Sequence, residues 1–311
     1  MMRNIDTSLF LDIADSLGIS SPAIVEKDYW GTQLLSEIAE LQPDGYRLVF
    51  SGGTCLAKAY KNTFRMSEDI DIKMVPNAAT RTLSNSQQHK LRGAIHDMIK
   101  NIVASSDCFE LVDAKKLSDR KFQQFLIQYP REHETSSALR PHIQLDLTES
   151  VLLEDPVNLP LGSLYAYALK ESVEINGMAC VTVNSVAIEK FVSLLRRTAL
   201  HSRDGDRADD QTLIRHVYDL HLISNSLDAP DNLQNLVEQV IDIDKKQFGN
   251  QHIDFVVDAK NELRYGLSLL LEQPQHEARY KQFIGPLVYH PSPDDWHEAI
   301  STVQSLAEKW L

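Results

Sequence analysis

The sequence predicts an α+β chain in which a mixed α/β half, residues 1–183, precedes an all-helical half, residues 184–311. Three observations predict it. Apolar runs with period-two alternation fall in the first half, the clearest being Ile143-Gln144-Leu145-Asp146-Leu147, which sets apolar and polar side chains on opposite faces. From about residue 184 onward, apolar residues recur at helical intervals instead. An apolar run ending at Ser51 also meets Gly52-Gly53, and Asp69-Ile70-Asp71-Ile72 then alternates acid with aliphatic residue.

The elements follow in order. Ser21-Pro22 supplies a cap and a first-turn proline, and Ile24, Trp30, Leu34, Leu35 and Ile38 follow at helical spacing, so the opening segment reads as helices. Pro43-Asp44-Gly45 is a turn signal leading into a strand over 46–51. Residues 54–60 read as a short helix behind the Gly-Gly turn, and 69–74 as the next strand. The polar stretch 76–86 reads as a loop, and 87–104, with Leu91, Ile95, Met98, Ile99 and Ile102, as a helix. Two strands follow at 125–129 and 142–148. In the second half, Asn184 or Ser185 can cap a helix through Arg197, with Val186, Phe191, Leu194 and Leu195 on its apolar side. A charged loop over 201–212 precedes helical patterns at 213–226, 231–247, 252–272 and 294–310. The last begins after Ser292-Pro293-Asp294-Asp295, which has the form of a capping box.

Composition narrows the classes. A hydrophobic content of 43% and a charged content of 24% are those of an ordinary globular protein. No apolar run approaches the ~20 residues of a membrane span, and the N-terminus lacks an apolar signal core, so a cytoplasmic location is expected. Cys55, Cys108 and Cys180 are widely spaced and lack a C-x-x-C pair, which predicts reduced thiols. The formal net charge is −13. Nucleic acid is therefore repelled by most of the surface, and an RNA substrate needs a local basic patch. The His residues show no zinc-ligand spacing, and no G-x-S-x-G elbow is present.

The chemistry-bearing residues cluster around the Gly-Gly turn. On a strand, Asp69 and Asp71 share one face while Ile70, Ile72 and Met74 fill the other. Gly52 and Gly53 allow a ligand to approach the backbone. The helix that follows offers free N–H groups to phosphate oxygens, and Ser51 and Thr54 add hydroxyls. The turn lacks both the G-x-x-x-x-G-K and the G-x-G-x-x-G patterns. Paired carboxylates beside a phosphate-sized turn suit the holding of Mg²⁺ or Mn²⁺ on a nucleoside triphosphate (NTP), and Asp146 supplies a third acid if its strand lies beside theirs. The expected chemistry is nucleotidyl transfer.

Glu26-Lys27-Asp28-Tyr29-Trp30, Gly52-Gly53-Thr54-x-Leu56-x-Lys58-x-Tyr60 and Ser67-Glu68-Asp69-Ile70-Asp71 stand in a fixed order. They are followed by Gln144-Leu145-Asp146, Ile188-Glu189-Lys190-Phe191 with Arg196-Arg197, and Tyr218-Asp219-Leu220. This order, over roughly residues 24–223, resembles the AbiEii family of nucleotidyltransferase toxins, which includes the mycobacterial MenT enzymes. The resemblance implies a polymerase-β-like nucleotidyltransferase domain, a small mixed sheet with flanking helices, followed by an all-helical domain. It implies transfer of a nucleotide from an NTP, with tRNA 3′ ends the acceptor for some members, neutralisation by a cognate antitoxin, and a place in phage defence.

By that resemblance Asp69 and Asp71 are metal ligands and Asp146 is the third acid near the acceptor hydroxyl. Lys190 binds the triphosphate, and Asp219 orients Lys190 or Arg197. Lys58 joins Ser51, Gly52, Gly53, Thr54, Lys190 and Arg197 in the nucleotide-binding set. Arg196 and Arg197 point about 100° apart on a helix, and Arg197, seven residues from Lys190, is the one expected to face the site. The chain departs from the family at Arg215-His216, where an Arg/Lys-Asp pair is usual, and at Asp146, where Glu is frequent. The loop over 202–211 is long, and its Arg203 and Arg207 are either RNA contacts or charges balanced by Asp204, Asp206, Asp209 and Asp210. Lys27 and Asp28 can be a helix-surface pair. Besides a tRNA-modifying toxin, two other functions fit these residues: nucleotidylation of a protein hydroxyl (AMPylation) and a non-catalytic nucleotide-binding module.

Overall fold

A computed structural model describes residues 6–61, 63–134, 139–204, 209–228 and 230–311. The chain divides into two compact units, Met1–Val181 with Tyr289–Pro291, and Thr182–Val288 with Ser292–Leu311.

The first unit opens with α1 (Leu9–Leu17) and α2 (Pro22–Ala39). Ser21 caps α2 by accepting the Ala23 N–H, and Pro22 takes the first turn, where a missing N–H costs nothing. Then come β1 (Tyr46–Ser51), α3 (Gly52–Cys55) continuing into a π-helical turn at Leu56–Tyr60, β2 (Asp69–Pro76), α4 (Ala78–Arg81) and α5 (Asn85–Ser105). The polar stretch expected to be a loop thus contains the short α4. The remainder is β3 (Glu110–Leu117), β4 (Phe122–Gln128), β5 (Ile143–Glu149), β6 (Val157–Leu161), α6 (Leu164–Ala168) and β7 (Ile175–Cys180).

The strands form one mixed seven-stranded sheet in the order β3-β4-β5-β2-β1-β7-β6. The four expected strands are its centre, and the three not foreseen have physical reasons to be hidden. β3 and β6 are its edges, where Lys115, Lys116 and Pro160 replace buried alternation. β7 carries Gly177 in its middle. Central pairing is parallel between β2 and β5 and between β1 and β7, and antiparallel between β1 and β2. Ile70, Ile72, Met74, Phe125, Ile143, Leu145 and Leu147 fill the buried face, and Gly31 of α2 lies against Ile70.

Helix α2 is buried almost all round, charges included. The Glu26 carboxylate accepts the N–H groups of Glu132 and His133 at 2.7 and 3.2 Å. Lys27 Nζ donates to Glu68 Oε1 at 3.0 Å and to the Arg140 carbonyl at 2.9 Å, with both side chains of the ion pair only 2% exposed. Asp28 takes Lys58 Nζ at 2.6 Å on one oxygen and the Leu164 N–H at 2.7 Å on the other. Lys27 and Asp28 are therefore not a surface pair. They face inward to separate partners, because a charge this deep must be matched.

The second unit is helical: α7 (Val183–Arg203), α8 (Arg215–Ile223), α9 (Pro230–Phe248), α10 (Ile253–Val257), α11 (Ala259–Glu272), α12 (Pro274–Leu287) and α13 (Trp296–Trp310). Thr182, rather than Asn184 or Ser185, caps α7 by accepting the Ser185 N–H. The single helix expected over 252–272 is broken at Asp258, whose carboxylate caps α11 by accepting the Asn261 N–H. The unforeseen α12 buries His276, Tyr280, Phe283 and Leu287, one residue per turn in a polar sequence. Asp295 and Glu298 close a capping box at the start of α13. α7 also runs six residues beyond its expected end at Arg197, into the stretch read as loop. Arg203 there is engaged by Glu262 at 3.1 Å; Asp206 and Arg207 lie outside the described residues.

Removing one partner from the Lys27–Glu68 pair leaves a buried charge unmatched. Lys27→Met is expected to destabilise the fold by about 3–5 kcal/mol in urea denaturation, and Lys27→Met with Glu68→Leu to recover most of that loss. A single-variant cost below about 1 kcal/mol would contradict this account of the pair.

Candidate active site

Three carboxylates share the polar face of the sheet. β2 and β5 pair in parallel with Asp71 opposite Asp146 and Asp69 opposite Gln144. Two-residue alternation keeps Asp69 and Asp71 on one face, so the ladder collects all three acids there. The neighbouring strand β4 adds Gln124 beside Asp146. Gln124 Nε2 donates to Asp146 Oδ1 at 3.1 Å, and Gln144 Nε2 to Oδ2 at 2.9 Å. Burial pushes the Asp146 carboxyl above the usual carboxylate range, and the charge of Asp69 adds to the rise against those two amides. Arg140 forks onto Asp69 at 3.0 and 3.1 Å and onto Gln144 Oε1 at 2.5 Å. The sequence sets Gln144 on the face of Asp146 without giving it a role, and it leaves Arg140 and Gln124 unmarked; Gln124 becomes visible as a site residue only through strand register.

The Gly-Gly turn is fitted to these acids. Gly52 has φ +75°, and a Cβ there would lie 2.0 Å from Asp71 Oδ2. A side chain is thus barred twice, by backbone conformation and by the carboxylate. A Cβ on Gly53 would meet Arg65 Nη2 at 2.6 Å and Ser67 Oγ at 2.9 Å. Ser51 Oγ donates to the Asp71 carbonyl at 3.1 Å, and Thr54 Oγ1 donates to the Asp69 carbonyl. Both hydroxyls tie the turn to β2. Lys58 Nζ is held between Asp28 and Thr32 Oγ1, each at 2.6 Å.

Among the described residues, no group of three or more His, Cys, Asp or Glu side chains closes round a point that would hold a metal ion. The three aspartates share a face as separate side chains. As a donor set they nonetheless suit a hard divalent cation, being carboxylate oxygens with the space left by Gly52 beside Asp71.

The other candidates lie in the second unit. Lys190 Nζ pairs with Asp219 Oδ2 at 2.9 Å, and Asp219 is fully buried. Arg197 pairs with Asp210. Of the adjacent arginines Arg196 is the buried one, bonded to Asp244 at 2.8 Å with its guanidinium 4.2 Å from the Phe248 ring centre. Cys55 and Cys180 are buried, Cys108 is half-buried, and all three are free. No described helix is long and apolar enough to cross a membrane.

An Asp-x-Asp strand lies beside a glycine turn with a third acid on the adjoining parallel strand, and a helical unit follows the sheet. The family model described as nucleotidyl transferase AbiEii toxin, type IV TA system, matches residues 33–302. The chain belongs to that family, and an NTP substrate and an antitoxin partner go with membership. Its fold is similar to that of MenT4, a nucleotidyltransferase toxin from Mycobacterium tuberculosis H37Rv. The TM-score is 0.54 at 16% identity, over 98% of this chain and 99% of that one. No curated protein matches the sequence significantly.

The contact at Gly52 has a direct test. Gly52→Ala is expected to disturb Asp71 and cut nucleotidyl transfer by at least about tenfold, while costing roughly 1–3 kcal/mol of stability for the strained backbone. Steady-state kinetics and thermal unfolding on one preparation measure the two effects separately.

Proposed function

We propose that this enzyme transfers a nucleotide from an NTP to a tRNA 3′ end, using Mg²⁺ or Mn²⁺ held by Asp69, Asp71 and Asp146, and that it acts in the cytoplasm as a phage-defence toxin. The observation that carries the reading is the parallel register that sets Asp71 opposite Asp146, beside the gap at Gly52. A bound divalent cation supplies neutralisation of triphosphate charge and activation of the attacking hydroxyl.

The chain's own groups do the rest. The backbone N–H groups of the Gly52-Gly53 turn cradle phosphate oxygens. The acceptor oxygen forms a bond to the α-phosphorus, pyrophosphate leaves, and Asp146 takes the proton of the attacking hydroxyl at a carboxylate oxygen. The two glutamine amides fix that carboxylate's direction. Lys190, oriented by Asp219 at 2.9 Å, binds the triphosphate, and Arg197 adds to its charge neutralisation. Ser51 and Thr54 serve by pinning the turn to β2. Lys58, engaged by Asp28, contributes to nucleotide binding through the shape of the site rather than as a free charge.

The test is incubation of purified protein with Mg²⁺, each labelled NTP in turn, total cell RNA and total cell protein, with Asp71→Asn alongside. Label is expected in a tRNA-sized band. The variant should lose transfer by roughly a thousandfold or more, as several kcal/mol of charge stabilisation disappear. Label on protein would instead support AMPylation, a reading that the net charge of −13 favours. Equal labelling by Asp71→Asn would refute the metal site.

Asp146 also sets a pH dependence. Only its ionised form accepts a proton or holds a cation, and its proton affinity is raised by burial. In the metal-free protein this is expected to appear as stability that increases as pH falls through the folded-state value of Asp146, measured by urea denaturation against pH with Asp146→Asn as the control. Ionising this buried group costs fold stability above its unfolded-state pKa, so Asp146 opposes acid denaturation as pH falls through its folded value.

A further inference from the structure

We propose that a cavity of about 540 Å³ in the first unit is the subsite for the nucleobase of the NTP; this rests on reading the Gly52-Gly53 turn as the triphosphate cradle. Its volume lies in the range of sites that enclose a small ligand, ~300–1,000 Å³. Thr54 lines the cavity and also donates to the Asp69 carbonyl, so the cavity begins where the glycine turn ends. Arg65, 3% exposed, forms part of the wall and lies against the position of the missing Gly53 side chain. A buried guanidinium is thus at the phosphate end.

Three aromatic side chains, Phe64, Tyr167 and Tyr289, line the cavity among aliphatic and small residues. Tyr167 faces Gly162, where a Cβ would come within 2.8 Å of its ring. Its hydroxyl is buried and has no hydrogen-bond partner among the described residues. A buried hydroxyl in a cavity wall with its bonding unmet calls for an explanation, and a ligand group supplies one. A tyrosine hydroxyl both donates and accepts, so it can meet either the exocyclic amine or the carbonyl of a base. Lys61 Nζ sits 3.8 Å from the centre of the same ring, a cation–π contact that covers one of its faces.

Phe64, at the cavity, is 44% exposed and holds φ at +42°, a conformation that bulky residues avoid. It is kept there by the Tyr289 N–H bonding to its carbonyl at 2.9 Å, with Tyr289 a further aromatic wall. An exposed ring on a strained backbone beside a cavity is the arrangement expected of a stacking platform. Lys58, already paired with Asp28, belongs to the cavity lining as a neutralised pair rather than a phosphate ligand.

The test compares binding of the four NTPs with that of inorganic tripolyphosphate, by equilibrium dialysis of the full chain. In the wild type the preferred NTP is expected to bind about tenfold or more tightly than tripolyphosphate, the gain of a stacked base. Ala57→Trp, which fills the cavity, should bring NTP affinity down to that of tripolyphosphate and leave tripolyphosphate unchanged. Tyr167→Phe, which removes one oxygen and preserves packing, should alter the ranking of the four NTPs by about threefold or more, the loss of one hydrogen bond. An NTP advantage and ranking that survive in Tyr167→Phe, or an advantage that survives in folded Ala57→Trp, would overturn the assignment. Failure of tripolyphosphate to bind the wild type would sink the cradle reading instead, and this assignment with it.

Discussion

Parallel pairing of β2 with β5 sets Asp71 opposite Asp146, and the polar face of the sheet depends on that register. A slip of one residue would send Asp146 to the apolar face and bring Leu145 or Leu147 among the acids. The buried side holds the register: Ile70, Ile72, Leu145 and Leu147 are all within the core, so sliding β5 would expose aliphatic surface as it buried carboxylate. The same alternation therefore builds the core on one side and the acid cluster on the other.

Charge is managed from beneath as well as from the surface. Glu26, Lys27 and Asp28 are consecutive on α2, yet each reaches a different segment: the chain at 132–133, Glu68 with Arg140, and Lys58 with Leu164. Glu68 immediately precedes Asp69, and Arg140 precedes β5, so the Lys27 contacts pin the entry of both acid-bearing strands. Buried ion pairs add little net stability, but they are costly to rearrange, which suits a role in fixing geometry. In the second unit the Lys190–Asp219 pair follows the same rule, with a fully buried carboxylate held against a nearly buried ammonium.

The acid-bearing strands β2 and β5 were legible because period-two alternation needs only local sequence, while β1 and β4 showed as short apolar runs. β3, β6 and β7 were not, because edge strands and a glycine-bearing strand owe their conformation to their neighbours. α12 escaped for a related reason: burying one residue per turn leaves little periodic signal. At the site, Asp69, Asp71, Asp146 and the glycines stood out by type and spacing. Arg140 and Gln124 did not, since nothing local distinguishes a glutamine opposite an aspartate from one facing water.

The α+β class, the Asp-x-Asp strand, the glycine turn and the family to which they belong can all be read from residue order alone. These depend on residue type and on periodicities of two and 3.6, which short segments carry alone. Packing in three dimensions settles which strands adjoin, that Lys58 is matched by Asp28, that Lys190 meets Asp219 while Arg197 meets Asp210, and that Tyr167 lines a cavity with its hydroxyl unmet. Asp28 and Lys58 stand 30 positions apart, and β1 meets β7 across more than 100. Long-range packing selects them, and no local pattern encodes which partner will arrive.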